Sequence, residues 1–298
     1  MDKRVKKGLK LTLQIAIAAF AIYYVVDEID VEELKSSLLK ANIGWLLLAL
    51  LAFNASKILS AIRLNHFFKA IEIRLSEIYN LKLYYLGMLY NQFLPGGIGG
   101  DGYKVYLLNK IYKKPVKQLL AATLLDRISG VVALGFLGCG LGLLGTAYDA
   151  LEGYGFLLWL GLVLAFPAYY VMVHYIFPTY KKVSHITNIQ AIGVQSLQVL
   201  CAFLILKSLG VETGYVDYFT LFLLSSVLAA LPISLPGGFG VRELTMTIGY
   251  EIFLLNESAS VALASLFFLI TLVSSLIGIA YLKIGKVETI PDATTPKQ

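Results

Sequence analysis

The run Leu94-Pro95-Gly96-Gly97-Ile98-Gly99-Gly100-Asp101-Gly102 breaks an apolar segment where a membrane-spanning helix would simply continue. A near-copy stands at Leu235-Pro236-Gly237-Gly238-Phe239-Gly240-Val241-Arg242-Glu243. Both read Leu-Pro-Gly-Gly, an apolar residue, Gly, and then charge two or three residues on. Proline removes a backbone donor and clashes with the preceding turn, and glycine favours no single conformation. One such break is a kink. Two matching breaks about 140 residues apart suggest an internal duplication. In membrane transporters, paired Gly/Pro interruptions in the two halves point to the binding site.

The rest of the chain sets these breaks in a bilayer. Of the 298 residues, 58% are hydrophobic and 15% charged, with a mean hydropathy of +0.74. A soluble domain carries about 25% charged residues. The composition therefore indicates an all-α polytopic membrane protein with several spans. Spans are expected at about 9–26, 43–64, 118–147, 155–177, 189–209 and 259–282. A polar tail, 287–298, contains Pro291 and Pro296 and is expected to be disordered. The net charge of +6 does not indicate nucleic acid, because the basic residues cluster at span ends. Cys139 and Cys201 lie inside apolar runs and read as small core residues.

The positive-inside rule then assigns the breaks a topology. If 77–94 crossed completely, the basic stretch Lys104, Lys110, Lys113, Lys114 and Lys117 would lie outside, against the rule. If that segment instead enters and returns, nineteen Lys and Arg fall in inside segments, and Lys35, Lys40 and Lys207 fall outside. In this count Arg63, Lys69 and Arg74 belong to a basic inside connection. Asp217 and Glu257 flank the second break and place both its ends outside. The expected order is span, span, re-entrant hairpin, span, twice over. This is an inverted-topology repeat of about 1–150 and 151–286 within one transmembrane domain, 1–286. Both termini are expected to be cytoplasmic, in the cell membrane.

Charge inside a bilayer costs roughly 2.5–3.5 kcal/mol per residue at a helix centre, so each such residue requires a reason. Asp101 and Lys104, Asp126 and Arg127, and Arg242 and Glu243 are neighbours in sequence, and local pairing would keep each site near neutral. Lys57 lies well inside the second span. Successive free N–H groups in the glycine runs form an anion-binding nest, and a helix starting there adds a positive dipole end. Asp101 is placed to cap a helix starting near Gly102, and Arg127 and Arg242 can clamp a phosphate bidentately. Tyr84, Tyr85, Tyr90, Asn91 and Gln92 make the segment before the first break unusually polar.

Sharper motifs fail. Gly97-x-Gly99-x-x-Gly102 has no preceding strand. Tyr103 interrupts the Gly-Lys of a P-loop. His66, His174 and His185 lack metal-ligand spacing, so neither metal nor cofactor is expected.

Three motifs in order, Asn91-x-x-Leu94-Pro95-Gly96-x-x-Gly99-Gly100-Asp101, Asp126-Arg127-x-x-Gly130 and Pro232-x-x-x-Pro236-Gly237-Gly238-x-Gly240-x-Arg242-Glu243, resemble the lysylphosphatidylglycerol synthase transmembrane (flippase-like) family. The resemblance spans nearly the whole chain. It implies a domain that, in bifunctional relatives, moves an aminoacylated lipid across the bilayer. Other relatives sit beside glycosyltransferase domains. Where relatives often carry Arg three residues after the Asp, this chain has Lys104, which is basic but cannot clamp bidentately. Only about a dozen polar residues follow the last span, so synthase activity is not expected from this chain alone.

The expected site is substrate-binding: Lys57, Asn91, Gly96, Gly97, Gly99, Gly100, Asp101, Lys104, Asp126, Arg127, Gly237, Gly238, Gly240, Arg242 and Glu243. The function expected is lipid translocation at a midplane site for an anionic or phosphate-bearing headgroup. The alternatives are a membrane-embedded transferase using a lipid-linked donor, and a scaffold. Membrane lipids are the expected partners, with a lipid-modifying or glycosyltransferase enzyme as a further one.

Overall fold

Asn42 opens the first described long helix by accepting the Gly44 N–H at 2.9 Å, which satisfies one of the orphan donors at a helix start. That helix, α1 (Ile43–Ala70), runs 28 residues and is about 42 Å long, more than the ~30 Å hydrocarbon core. The computed structural model describes residues 36, 38–39, 41–93, 98–230, 241–282 and 284. The expected span at 9–26, the tail 287–298, residues 94–97 of the first glycine run and residues 235–240 of the second lie outside the described residues.

Ten α-helices follow in order among the described residues, and no β-strand forms. They are α1, α2 (Glu77–Phe93), α3 (Gly99–Tyr112), α4 (Val116–Gly142), α5 (Ala147–Ala150), α6 (Phe156–Ile176), α7 (Ser184–Ser208), α8 (Tyr215–Ala229), α9 (Val241–Ile252) and α10 (Glu257–Leu276). A short 3₁₀ turn, Ile277–Tyr281, extends α10. The chain is thus an all-helical polytopic membrane protein. Among the described residues, five segments are long and apolar enough to cross a bilayer: α1, α4, α6, α7 and Glu257–Tyr281. These match the expected spans at 43–64, 118–147, 155–177, 189–209 and 259–282. Their outward faces carry exposed Leu47, Leu51, Trp159 and Val163, as a lipid-facing surface requires. The least buried span is α6, which buries only Tyr169 and Val173.

One expectation is corrected here. Arg63 is not part of an interfacial connection. α1 continues past it to Ala70, and Arg63 lies inside that helix, buried at 5% exposure.

The short helices pack in pairs. α2 lies against α3 and α8 against α9, so the helices flanking each glycine run fold back on each other as a hairpin. Glycine permits each close approach. A methyl group on Gly100 would overlap the Gly87 backbone, and one on Gly249 would overlap the Leu221 side chain.

The hairpins also exchange neighbours. α8 packs on α4, while α2 packs on α10 and its 3₁₀ extension. The most extensive pairing joins α1 to α7. These two run antiparallel: the Asn42 N–H donates to the Ser208 carbonyl at 2.8 Å, and Gly193 faces Leu59. Asp217 ties the start of α8 to the end of α4, accepting from the Thr146 N–H at 2.7 Å and its hydroxyl at 3.0 Å.

Among the described residues, two large apolar clusters and a small one around Leu86 and Leu89 fill the bundle. One large cluster centres on Phe53, Ala202, Phe222 and Phe267, the other on Phe67, Phe68, Leu83, Leu119 and Tyr169. Phe53 belongs to the first and Leu64 to the second, so α1 runs through both. Lys57 and Arg63 lie on the stretch between them. Beyond the spans, Glu72 accepts a hydrogen bond from Lys114 Nζ at 2.7 Å, which holds its carboxyl below its ordinary range.

Candidate functional site

A cavity of about 320 Å³ opens between the two hairpins and the spans that carry them. Five basic side chains line it: Lys57, Arg63, Lys104, Arg127 and Arg242. Among the described residues, two carboxylates, Asp101 and Asp126, face them from the lining. Both halves of the chain contribute, since Gln195, Gln198, Ser226, Thr271 and Ser275 complete the polar wall.

The ion pairs do not follow sequence neighbourhood. Asp126 accepts from Arg63 Nε at 2.8 Å, across from α1, rather than from adjacent Arg127. Arg127 reaches back to Asp101 on α3. Asp101 also takes Lys104 Nζ at 3.0 Å, so this carboxylate bridges two cations. Of the neighbouring residues, Asp101 and Lys104 form a local ion pair, while Asp126 and Arg127 each take a partner from another helix. The reason is helix geometry: residues one apart diverge by about 100° and cannot face each other.

Gly130, one turn on from Asp126, lies beside the same ion pair. A methyl group there would stand 3.6 Å from the Arg63 guanidinium and 3.7 Å from Gln195 Nε2. The Gly130 carbonyl accepts from that Gln195 amide at 3.3 Å. Arg63 Nη1 and Gln195 Oε1 remain buried with no hydrogen-bond partner among the described residues. They present a donor and an acceptor on the cavity wall.

Lys104 is threaded over glycine. Its stem crosses Gly87, where a methyl group would collide with Cε, and its ammonium lies 4.8 Å from the Tyr84 ring centroid. Lys57 Nζ lies 4.4 Å from the Phe53 ring centroid and has no carboxylate within ion-pair distance among the described residues. Arg242 donates to Ser226 Oγ at 2.9 Å, and its guanidinium stacks near Phe267 and Phe222 at 4.6 and 5.3 Å.

Asn91 has a structural task. Its Oδ1 accepts the Gly100 N–H at 2.7 Å and so caps α3 from the facing helix. Helix α3 begins at Gly99, which places Asp101 inside its first turn and not at a cap, contrary to the sequence expectation. There its negative charge complements the helix dipole. Removing the Asn91 cap by Asn91→Ala is expected to cost about 0.5–2 kcal/mol. Thermal unfolding in one detergent checks this, with Asn91→Asp, which keeps an acceptor oxygen, expected to lose less.

Of the expected site residues, Lys57, Asn91, Asp101, Lys104, Asp126, Arg127 and Arg242 therefore meet at one cavity. Gly99 and Gly100 pack at the start of α3, and Glu243 stands in the first turn of α9 outside the lining. Gly96, Gly97, Gly237, Gly238 and Gly240 lie outside the described residues. The Gly100 N–H, offered for an anion nest, is taken by Asn91.

The same motifs carry a family match. A model of the lysylphosphatidylglycerol synthase TM region matches residues 11–278. The chain belongs to that family. A curated relative is the UPF0104 membrane protein PH1989 of Pyrococcus horikoshii, 26% identical over 133 residues. That stretch covers 43% of this chain and 38% of the relative's length.

Sequence reasoning missed Arg63, Gln195 and Gln198 as lining residues of this family member. A signal existed for Arg63: Ser56, Ser60 and Arg63 recur at spacings of four and three on one face of α1, and all three are buried. Gln195 and Gln198 share the three-residue spacing within α7.

Proposed function

We propose that the chain is a membrane lipid translocase whose central cavity takes a phosphate-bearing headgroup. The observation carrying this reading is the charge balance of the cavity, five cations against two carboxylates. Unbalanced charge held away from water costs several kcal/mol per ion, and an anion entering the cavity would offset that cost. Lys57 is the cation most available to it, since Arg63, Lys104 and Arg127 already hold carboxylates, and Arg242 joins it from the facing half. Arg242 contributes the planar fork that suits phosphate, and Lys57 a point charge.

Family membership supports a lipid as the ligand. The packing supports an inverted repeat of about 1–150 and 151–286. Each hairpin leans on the last span of the other half, and the equivalent spans α1 and α7 run antiparallel. In this reading the two glycine runs dip toward the midplane as re-entrant hairpins from opposite faces, and the cavity between them is reached alternately from each leaflet.

Binding of glycerol 3-phosphate, measured by calorimetry on purified protein in detergent, tests the headgroup site. Glycerol 3-phosphate is expected to bind and glycerol is not. Lys57→Met should weaken binding by about 1.5–3 kcal/mol, the worth of one hydrogen bond to a charged group. Equal response to both probes, or none to either, contradicts the reading.

A further inference from the structure

A second hollow, of about 720 Å³, lies on the outside of the bundle. Its walls are α4, the start of α3, the end of α6 and the following turn Pro178–Tyr180. Its floor is apolar, with Leu120, Leu124, Ile98 and Ile176 exposed at 51%, 48%, 52% and 66%. α4 is long and apolar enough to span the membrane, and a floor of this composition suits hydrocarbon. Two residues, Asp101 and Arg127, line both this groove and the polar cavity. Their ion pair is the partition between the two spaces. Lys117 lies at the far end of the groove, ten residues from Arg127 and about 15 Å along the helix.

We infer that this groove seats one acyl chain of a bilayer lipid, and that the Asp101–Arg127 pair is the side gate between tail groove and headgroup cavity. The inference rests on the headgroup reading above. The groove ends at the ion pair that also lines the charged cavity, so its occupant has a charged end and an apolar end. A phosphate at the partition competes with Asp101 for Arg127, and Asp101 keeps Lys104 as partner when Arg127 turns away. A groove of this kind lets the head enter sideways while the tail never leaves an apolar surface, which avoids exposing hydrocarbon to the polar cavity.

Photocrosslinking tests it. The full chain is reconstituted in phosphatidylcholine vesicles with a trace of phosphatidylglycerol or diacylglycerol, each bearing a diazirine on one acyl chain. Phosphatidylglycerol crosslinks are expected on Leu120, Leu124 and Phe177, severalfold above Val163 and Leu164 on the outward face of α6. Leu124→Trp, which fills the groove, should lower them severalfold. Arg127→Gln should erase the preference for phosphatidylglycerol over diacylglycerol, and Arg127→Lys should restore part of it. An even spread over α4 and α6, unchanged by Leu124→Trp, means surrounding lipid only and overturns the groove. Glycerol 3-phosphate, which has no tail, separates the two readings. Its binding together with even crosslinks sinks the groove alone. Localised crosslinks without its binding sink the headgroup site and leave the groove.

Discussion

Arg63→Met is expected to destabilise the protein by about 3–5 kcal/mol, the usual cost of stranding one partner of a buried ion pair. Arg63 and Asp126 are 5% and 8% exposed, and Arg63 Nε is the ion-pair partner that Asp126 has among the described residues, at 2.8 Å. With Arg63 gone, the Asp126 carboxylate stays buried without its ion-pair partner. Asp126→Leu is expected to be less severe than Arg63→Met, because Gly130, Gln195 and the cavity leave the guanidinium polar surroundings. The double variant Arg63→Met/Asp126→Leu should recover much of the loss, since well-packed apolar residues often replace a buried pair at little cost. Unfolding of the four proteins in one detergent gives the coupling energy directly. Additive losses would mean that the pair is not a unit.

Gly100→Ala is expected to have the largest effect on the site itself. Its new methyl group would enter the backbone of Gly87, where no side-chain movement can make room. The α2–α3 hairpin must open, at about 1–3 kcal/mol for overpacking. Opening it removes the Asn91 cap from Gly100 and moves Asp101 and Lys104 away from Arg127 and Tyr84. Glycerol 3-phosphate binding should fall with stability. Gly102→Ala serves as the comparison, because a methyl group there meets nothing within 4 Å. It should leave both properties near wild type. If Gly100→Ala behaves like Gly102→Ala, the hairpin is not held at this contact.

How much of this was legible in the chain follows from the physics of each signal. Long apolar runs are strong and local, so α1, α4, α6, α7 and α10 stand where hydropathy places them. Proline and glycine mark breaks, so the helix boundary at Phe93 stands next to the first glycine run, whereas α8 ends at Ala229, ahead of the second run at 235. Pairings across the bundle were not legible, because they depend on which helix faces which. Asp126 finds Arg63, 63 residues away, in preference to its neighbour Arg127. The end of α1 was misread for a related reason. Arg63 looked like an interfacial charge because sequence alone does not show that Asp126 and the cavity are there to receive it. Gly100 was read as a ligand for anions, while its lack of a side chain also serves helix contact with Gly87. A glycine offers both uses, and only the facing residue decides between them.

Lipid movement in reconstituted vesicles is the most direct measurement of the central claim. Phosphatidylglycerol, phosphatidylcholine and diacylglycerol with fluorescent tails are placed in vesicles with or without protein, and the fraction reachable by an outside quencher is followed in time. The account predicts that wild-type protein moves phosphate-bearing lipid faster than protein-free vesicles do. It predicts that Arg242→Gln, folded by the criterion of unchanged thermal unfolding, slows that movement by about tenfold or more, as the loss of ~1.4 kcal/mol or more at the rate-limiting step requires. No acceleration of any lipid by folded wild-type protein, or equal rates for wild type and Arg242→Gln, would contradict it.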